Sequence, residues 1–125
     1  MKAVVVPGFS ELKVIVNPTG EVTREGMLNI IMPWLYAPWP EAQEKGLVEI
    51  EVAGDTLRDL LMELSAQYRK ANVDFEPINP KTNDVDFDYE VFINGKDYVD
   101  LSRSLDAKMG ANDEVKVKVF WRWDG

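Results

Sequence analysis

The sequence contains neither cysteine nor histidine. Without cysteine the chain has no disulfide framework, no thiolate nucleophile and no thiolate metal ligand. Without histidine it also lacks the commonest general base and the commonest transition-metal ligand of proteins. We therefore expect neither hydrolytic nor redox catalysis by this chain alone, and we expect it to bind no metal ion and no other cofactor.

Basic residues and long apolar runs are also scarce. The chain has 14 lysines and arginines against 22 aspartates and glutamates, which gives a formal net charge of −8 at pH 7. This balance argues against nucleic acid or an anionic membrane surface as the main partner, and it favours basic pockets on other proteins. No run approaches the roughly 20 apolar residues of a membrane span, and the apolar run within residues 1–8 is too short for a signal peptide. We expect a cytoplasmic protein.

Alternating apolar residues mark the strands of a single domain. The period of two covers residues 12–16, 48–52 and 89–93 and the run from 115 onward, and a further short strand is predicted over 98–101. The dipeptide Asn94-Gly95 is a hairpin turn signal between two of these strands. In the last strand Val115, Val117 and Val119 face one side, while the intervening lysines face the other.

One amphipathic helix follows Gly54. Its apolar positions recur at helical spacing and are Leu57, Leu60, Leu61, Leu64 and Tyr68. Thr56 is suited to the N-cap, and Asp59 lies where a carboxylate favours a helix N-terminus. We expect the helix to end near Asn72.

The predicted order is strand, strand, helix, strand, short strand, strand. A hairpin, a helix laid across the sheet and a return strand in the sheet centre define the β-grasp, or ubiquitin-like, arrangement. The amphipathic helix needs a sheet to cover, and half-buried strands need a helix. We therefore predict an α+β fold: a single β-grasp domain over residues 1–125 with a mixed sheet and one covering helix. It carries a long aromatic insertion over 17–46 and an acidic loop over 73–88.

Three stretches stand in a distinctive order. They are GDTLRDLLMEL over residues 54–64, YEVFING over 89–95, and Leu105 followed by ANDEV over 111–115. In this order they resemble the MoaD/ThiS family, the small sulfur-carrier proteins of the molybdopterin synthase and thiamine biosynthesis type. The likeness covers residues 12–16 and most of 48–125.

The resemblance implies a function for Gly125, the last residue. In this family a ubiquitin-activating-type enzyme adenylates the terminal glycine, which then becomes a thiocarboxylate. The implied partners are that adenylating enzyme and a large synthase-type subunit, which receives the sulfur for molybdenum or tungsten pterin cofactor biosynthesis. Trp123 and Asp124 would belong to the tail that carries Gly125, and here Asp124 stands where the family usually has a second glycine.

The residues leave two points of packing open. Trp121 and Trp123 keep the phase of the last strand, so the strand can instead continue with both indoles in the core. The apolar segment 27–40 either folds back onto the domain as a satellite core or presents Trp34, Tyr36 and Trp39 to a partner or a second copy.

Two further functions remain alternatives to the sulfur carrier. One is a non-covalent ubiquitin-like interaction subunit of a larger enzyme complex, and the other is a protein modifier resembling ubiquitin. The acidic loop over 73–88 lacks the ligand spacing of a calcium-binding loop, so we interpret it as a solvated loop.

Overall fold

The computed structural model describes residues 1–8, 10–23, 33–40 and 45–120, with the backbone alone for 33 and 34. The predictions made for Trp121, Trp123, Asp124 and Gly125, and for the side chain of Trp34, lie outside these described residues.

The described strands form a six-stranded sheet and a separate small hairpin. The strands are β1 (Lys2–Pro7), β2 (Glu11–Val16), β3 (Val48–Glu51), β4 (Ile78–Asn79), β5 (Asp84–Val85), β6 (Tyr89–Ile93), β7 (Lys96–Asp97) and β8 (Glu114–Val119). The large sheet has the order β3-β1-β2-β8-β6-β7, and β4 pairs with β5. Every neighbouring pair is antiparallel. The α+β class is confirmed, but the mixed sheet that we expected has no parallel pair among the described strands.

The core lies between the sheet and the helix α1 (Leu57–Lys70). Cross-strand neighbours such as Val14 and Val115, or Leu12 and Val117, face it together. The five apolar positions predicted for the helix are buried in the same cluster. The apolar faces of the strands and of the helix therefore pack together in one buried layer.

The beginning of α1 agrees with its prediction. Thr56 is the N-cap, its hydroxyl accepts a hydrogen bond from the Asp59 amide, and the Asp59 carboxylate accepts one from the Thr56 amide. This reciprocal pair is a capping box, which satisfies two amide groups that the first helical turn leaves without intrahelical acceptors.

Two local predictions differ from the structure. Residues 98–101 do not form a strand, because the side chain of Asp97 accepts a hydrogen bond from the Val99 amide and caps a 3-10 turn over Tyr98–Asp100. The N-terminal residues, for which we predicted no strand, form β1. In contrast, Asn94 and Gly95 both have positive φ angles, of 51° and 83°, as the predicted hairpin turn requires.

Within the described ranges, no helix is long and apolar enough to cross a membrane.

Candidate functional site

Hydrogen bonds on both sides hold the end of β8. The Val119 amide donates to the Ser10 carbonyl at 2.8 Å, and the Phe120 amide donates to the Asp88 carbonyl at 2.8 Å. Val119 is also the register partner of Tyr89 in β6. The position from which residues 121–125 continue is therefore fixed to the body of the domain. We call Ser10, Phe87, Asp88, Val119 and Phe120 the tail base.

The tail base exposes two phenylalanine rings. Phe87 is 95% exposed and Phe120 is 48% exposed. A single exposed apolar side chain is ordinary, but here two large aromatic side chains are exposed on segments that the Phe120–Asp88 backbone hydrogen bond joins. Exposed aromatic side chains of this kind are candidates for contact with another molecule.

A well-bonded turn presents Phe87. The Tyr89 amide donates to the Asp86 carbonyl at 3.1 Å, which closes the turn, and the Asp86 amide donates to Pro77 at 2.8 Å. The Asp86 carboxylate accepts hydrogen bonds from the Asn79 side-chain amide at 3.0 Å and from the Asp88 amide at 3.3 Å. Phe87 is thus held at the tip of an ordered turn rather than by contacts of its own ring.

An acidic hollow of about 290 Å³ lies next to the tail base. Four carboxylates line it, from Asp74, Glu76, Asp86 and Asp88, together with Tyr89. Burial and the charges of the three aspartates raise the pKa of Tyr89 to about 12, although its hydroxyl accepts a hydrogen bond from the Glu76 amide. In the described part of the chain no group of three or more acidic side chains is arranged to hold a metal ion.

Two of the three aromatic residues proposed as partner anchors lie in the core. Tyr36 is 2% exposed and Trp39 is 4% exposed. The indole of Trp39 donates to the Gln67 side chain at 2.6 Å, and its ring meets Tyr68 edge-on at 5.3 Å. The described residues of this segment thus follow the satellite-core alternative, so neither Tyr36 nor Trp39 offers an exposed ring to a partner in this structure.

The sequence interpretation missed Phe87 and Phe120. Both carried a signal: Phe87 is the single apolar residue between Asp86 and Asp88, and Phe120 continues the outward-facing phase of Lys116 and Lys118 in β8. Large apolar side chains at positions where the pattern predicts solvent exposure are candidates for contact residues.

The ionisable side chains of the hollow beside the tail base are four carboxylates, Lys81 and the phenol of Tyr89. The phenol stays protonated at neutral pH, because its pKa is about 12. Comparison of the chain with protein-family models, with curated proteins and with solved structures finds no match.

Proposed function

We propose that the protein is a MoaD/ThiS-like sulfur carrier whose Gly125 carboxylate is the acceptor, serving molybdenum or tungsten pterin cofactor biosynthesis. The observation that carries the proposal is the course of β8. This strand lies in the interior of the sheet, and its end is hydrogen-bonded on both sides, next to the exposed Phe120 and to the turn that carries the exposed Phe87. A carrier needs such a fixed base, because a partner must find the body and the acceptor group together.

The strand order supports a β-grasp arrangement with one strand added. If β2 is left out, the order becomes β3-β1-β8-β6-β7, and β1 and β8 run in the same direction because both are antiparallel to β2. A β-grasp sheet has its first and last strands parallel and adjacent at the centre. In this interpretation β1 takes the part of the first strand, and β2 belongs to the insertion between β1 and β3.

The proposed chemistry takes place on partner enzymes. A Gly125 carboxylate oxygen attacks the α-phosphorus of ATP, pyrophosphate leaves, and an acyl-adenylate forms. A sulfide nucleophile from a donor then attacks the acyl carbon and displaces AMP, which leaves a thiocarboxylate. This chain supplies the acceptor carboxylate and the recognition surface, so its lack of cysteine and histidine is compatible with the role.

Intact-mass measurement tests the proposal. The chain is incubated with ATP, a sulfide donor and the ubiquitin-activating-type enzyme from the same organism. We expect a mass gain equal to the replacement of one oxygen by sulfur, and no gain for a variant that lacks Gly125. An unchanged mass for the full chain, under conditions in which the enzyme activates an established carrier, would contradict the proposal.

The exposed rings of Phe87 and Phe120 also favour a second candidate, the non-covalent interaction subunit of a larger enzyme complex. The same experiment separates the two functions. A subunit would form a stable complex through these residues and would keep its mass whether or not ATP is present.

A further inference from the structure

We propose that Phe87 and Phe120 form the docking surface through which the adenylating partner recognises this chain. The partner would present an apolar pocket bordered by lysine or arginine side chains. The inference rests on the proposed function and adds to it the residues and the partner chemistry that bring the tail to the enzyme.

Phe87 is both exposed and held in an ordered turn. A ring that is 95% exposed gains almost nothing from the fold, so burying it in a partner pocket gains nearly its whole apolar surface. The turn that carries it is already ordered by the Asp86 carboxylate and two backbone hydrogen bonds. Binding therefore does not have to order this loop, and preorganised aromatic anchors of this kind dominate the energy of many interfaces.

Phe120 directly precedes residues 121–125 in the sequence. The Phe120 amide is bonded to the carbonyl of Asp88, the residue that follows Phe87. Residues 121–125 can extend at most roughly 18 Å from this point, because an extended chain advances about 3.3–3.6 Å per residue. An enzyme that takes Gly125 into its active site must therefore cover the surface beside Phe120.

Carboxylates lie beside the segment that carries Phe87. The carboxylates of Asp74, Asp86 and Asp88 lie close enough to Tyr89 to raise its pKa, and Tyr89 pairs with Val119 at the tail base. The nearby Arg69 is bonded to Glu76 at 2.8 Å. Lys118 lies two positions before Phe120 in β8, but the border beside Phe87 is acidic, in a chain of net charge −8. A basic border on the partner would complement it and speed association.

ATP–pyrophosphate exchange by the adenylating enzyme provides the test, with this chain as the varied substrate. We expect Phe87→Ala to raise KM by about tenfold or more, the range of an interface anchor. We expect kcat to stay within about twofold, because a phenyl ring supplies no reacting group. Phe87→Leu should give an intermediate KM. Met62→Ala is the matched control, since Met62 is 54% exposed on α1, and its KM should be unchanged. Raising the ionic strength should raise the KM of the unmodified chain.

The outcomes separate this inference from the proposed function. If the unmodified chain supports exchange and Phe87→Ala has the KM of Met62→Ala, the docking surface is overturned and the carrier role remains. If the unmodified chain supports no exchange, the carrier role fails and this inference fails with it. Thermal unfolding of each variant shows whether a raised KM has a different cause, and we expect no change for Phe87→Ala because its ring is exposed.

Discussion

At the scale of single residues, Tyr68 connects the helix to two other parts of the core. Its hydroxyl donates to the Leu35 carbonyl at 2.7 Å, and its ring packs at 4.6 Å from Phe75 as well as against Trp39. Burial raises the pKa of Tyr68 well above its ordinary value, so the hydroxyl stays a hydrogen-bond donor. Together with Gln67, which accepts the Trp39 indole hydrogen bond, Tyr68 thus holds the segment 33–40 against α1.

We expect Tyr68→Phe to lower the free energy of unfolding by about 1–3 kcal/mol, because the variant leaves the buried Leu35 carbonyl without this donor. Urea unfolding followed by circular dichroism measures the change. Val99→Ala, at an exposed position, should stay within about 0.5 kcal/mol of the unmodified protein. A Tyr68→Phe variant as stable as that control would show that the hydrogen bond contributes little.

The burial of Tyr68 could be predicted from helical spacing, but its partner could not. Leu35 lies 33 positions earlier in the sequence, inside an apolar, proline-containing stretch whose course no local periodicity defines. For the same reason the burial of Tyr36 and Trp39 could only be given as one of two alternatives. Long-range pairing of irregular segments is decided by packing that local sequence patterns do not encode.

At the scale of elements, α1 and β1 show why one was predicted and the other was not. The helix begins at a capping box whose two residues are three positions apart. The start of the helix can therefore be predicted from residues that are neighbours in the sequence. β1 lies between β3 and β2, and both Val4 and Val5 are buried although they point to opposite faces. A strand covered on both faces has no apolar–polar alternation, and the signal by which we recognised the other strands was absent.

The capping box gives a prediction for α1. We expect Thr56→Ala and Asp59→Ala each to lower the free energy of unfolding by about 1 kcal/mol, and the double variant to lose less than the sum because the two side chains act on one another's amides. Hydrogen bonding to the Thr56 backbone amide, and then to the Thr56 side chain, holds the pKa of Asp59 below its ordinary value of 3.8.

A lowered carboxyl pKa in the folded state stabilises the protein above the unfolded pKa, and this stabilisation is lost as the pH falls through the folded value. The deficit of Asp59→Ala should therefore shrink below pH 3.8. Urea unfolding of both proteins at pH 7 and across the acid range measures it. A deficit that stays constant with pH would contradict the assigned role of the carboxylate.

At the scale of the whole molecule, the class of fold and four of the six strands of the large sheet, β2, β3, β6 and β8, followed from the sequence. The arrangement of the sheet did not. We took residues 12–16 as the first strand of the β-grasp, whereas β1 precedes them and β2 lies between β1 and β8. A strand's period reports which side is buried and says nothing about which neighbour it pairs with. The tail base escaped prediction because it assembles segments that are distant in sequence.

The folded protein should lose stability in alkali. The pKa of Tyr89 is raised from 10.0 to about 12, by burial first and then by the three nearby aspartates, and burial also raises that of Tyr98 to about 12. A raised folded-state pKa gives full stabilisation below the unfolded pKa of 10.0, which is lost as the pH rises through the folded value of about 12.

Thermal unfolding at successive pH values tests this, with tyrosinate absorbance followed in parallel. We expect Tm to fall between pH 10 and pH 12 and to fall less steeply in Tyr89→Phe, which has one such group fewer. Equal slopes for the two proteins would mean that Tyr89 ionises alike in the folded and unfolded chains.

The composite construction of the tail base has a consequence for quality control. Ser10, Asp88 and Phe120 come together only when β8 has paired with both β2 and β6, so an unfolded chain has no such surface even though it carries the same last five residues. An enzyme that must bind this surface before it takes up residues 121–125 would therefore act on folded copies and not on unfolded ones. A free peptide of residues 121–125 would be a poor substrate for it, and misfolded chains would not consume ATP.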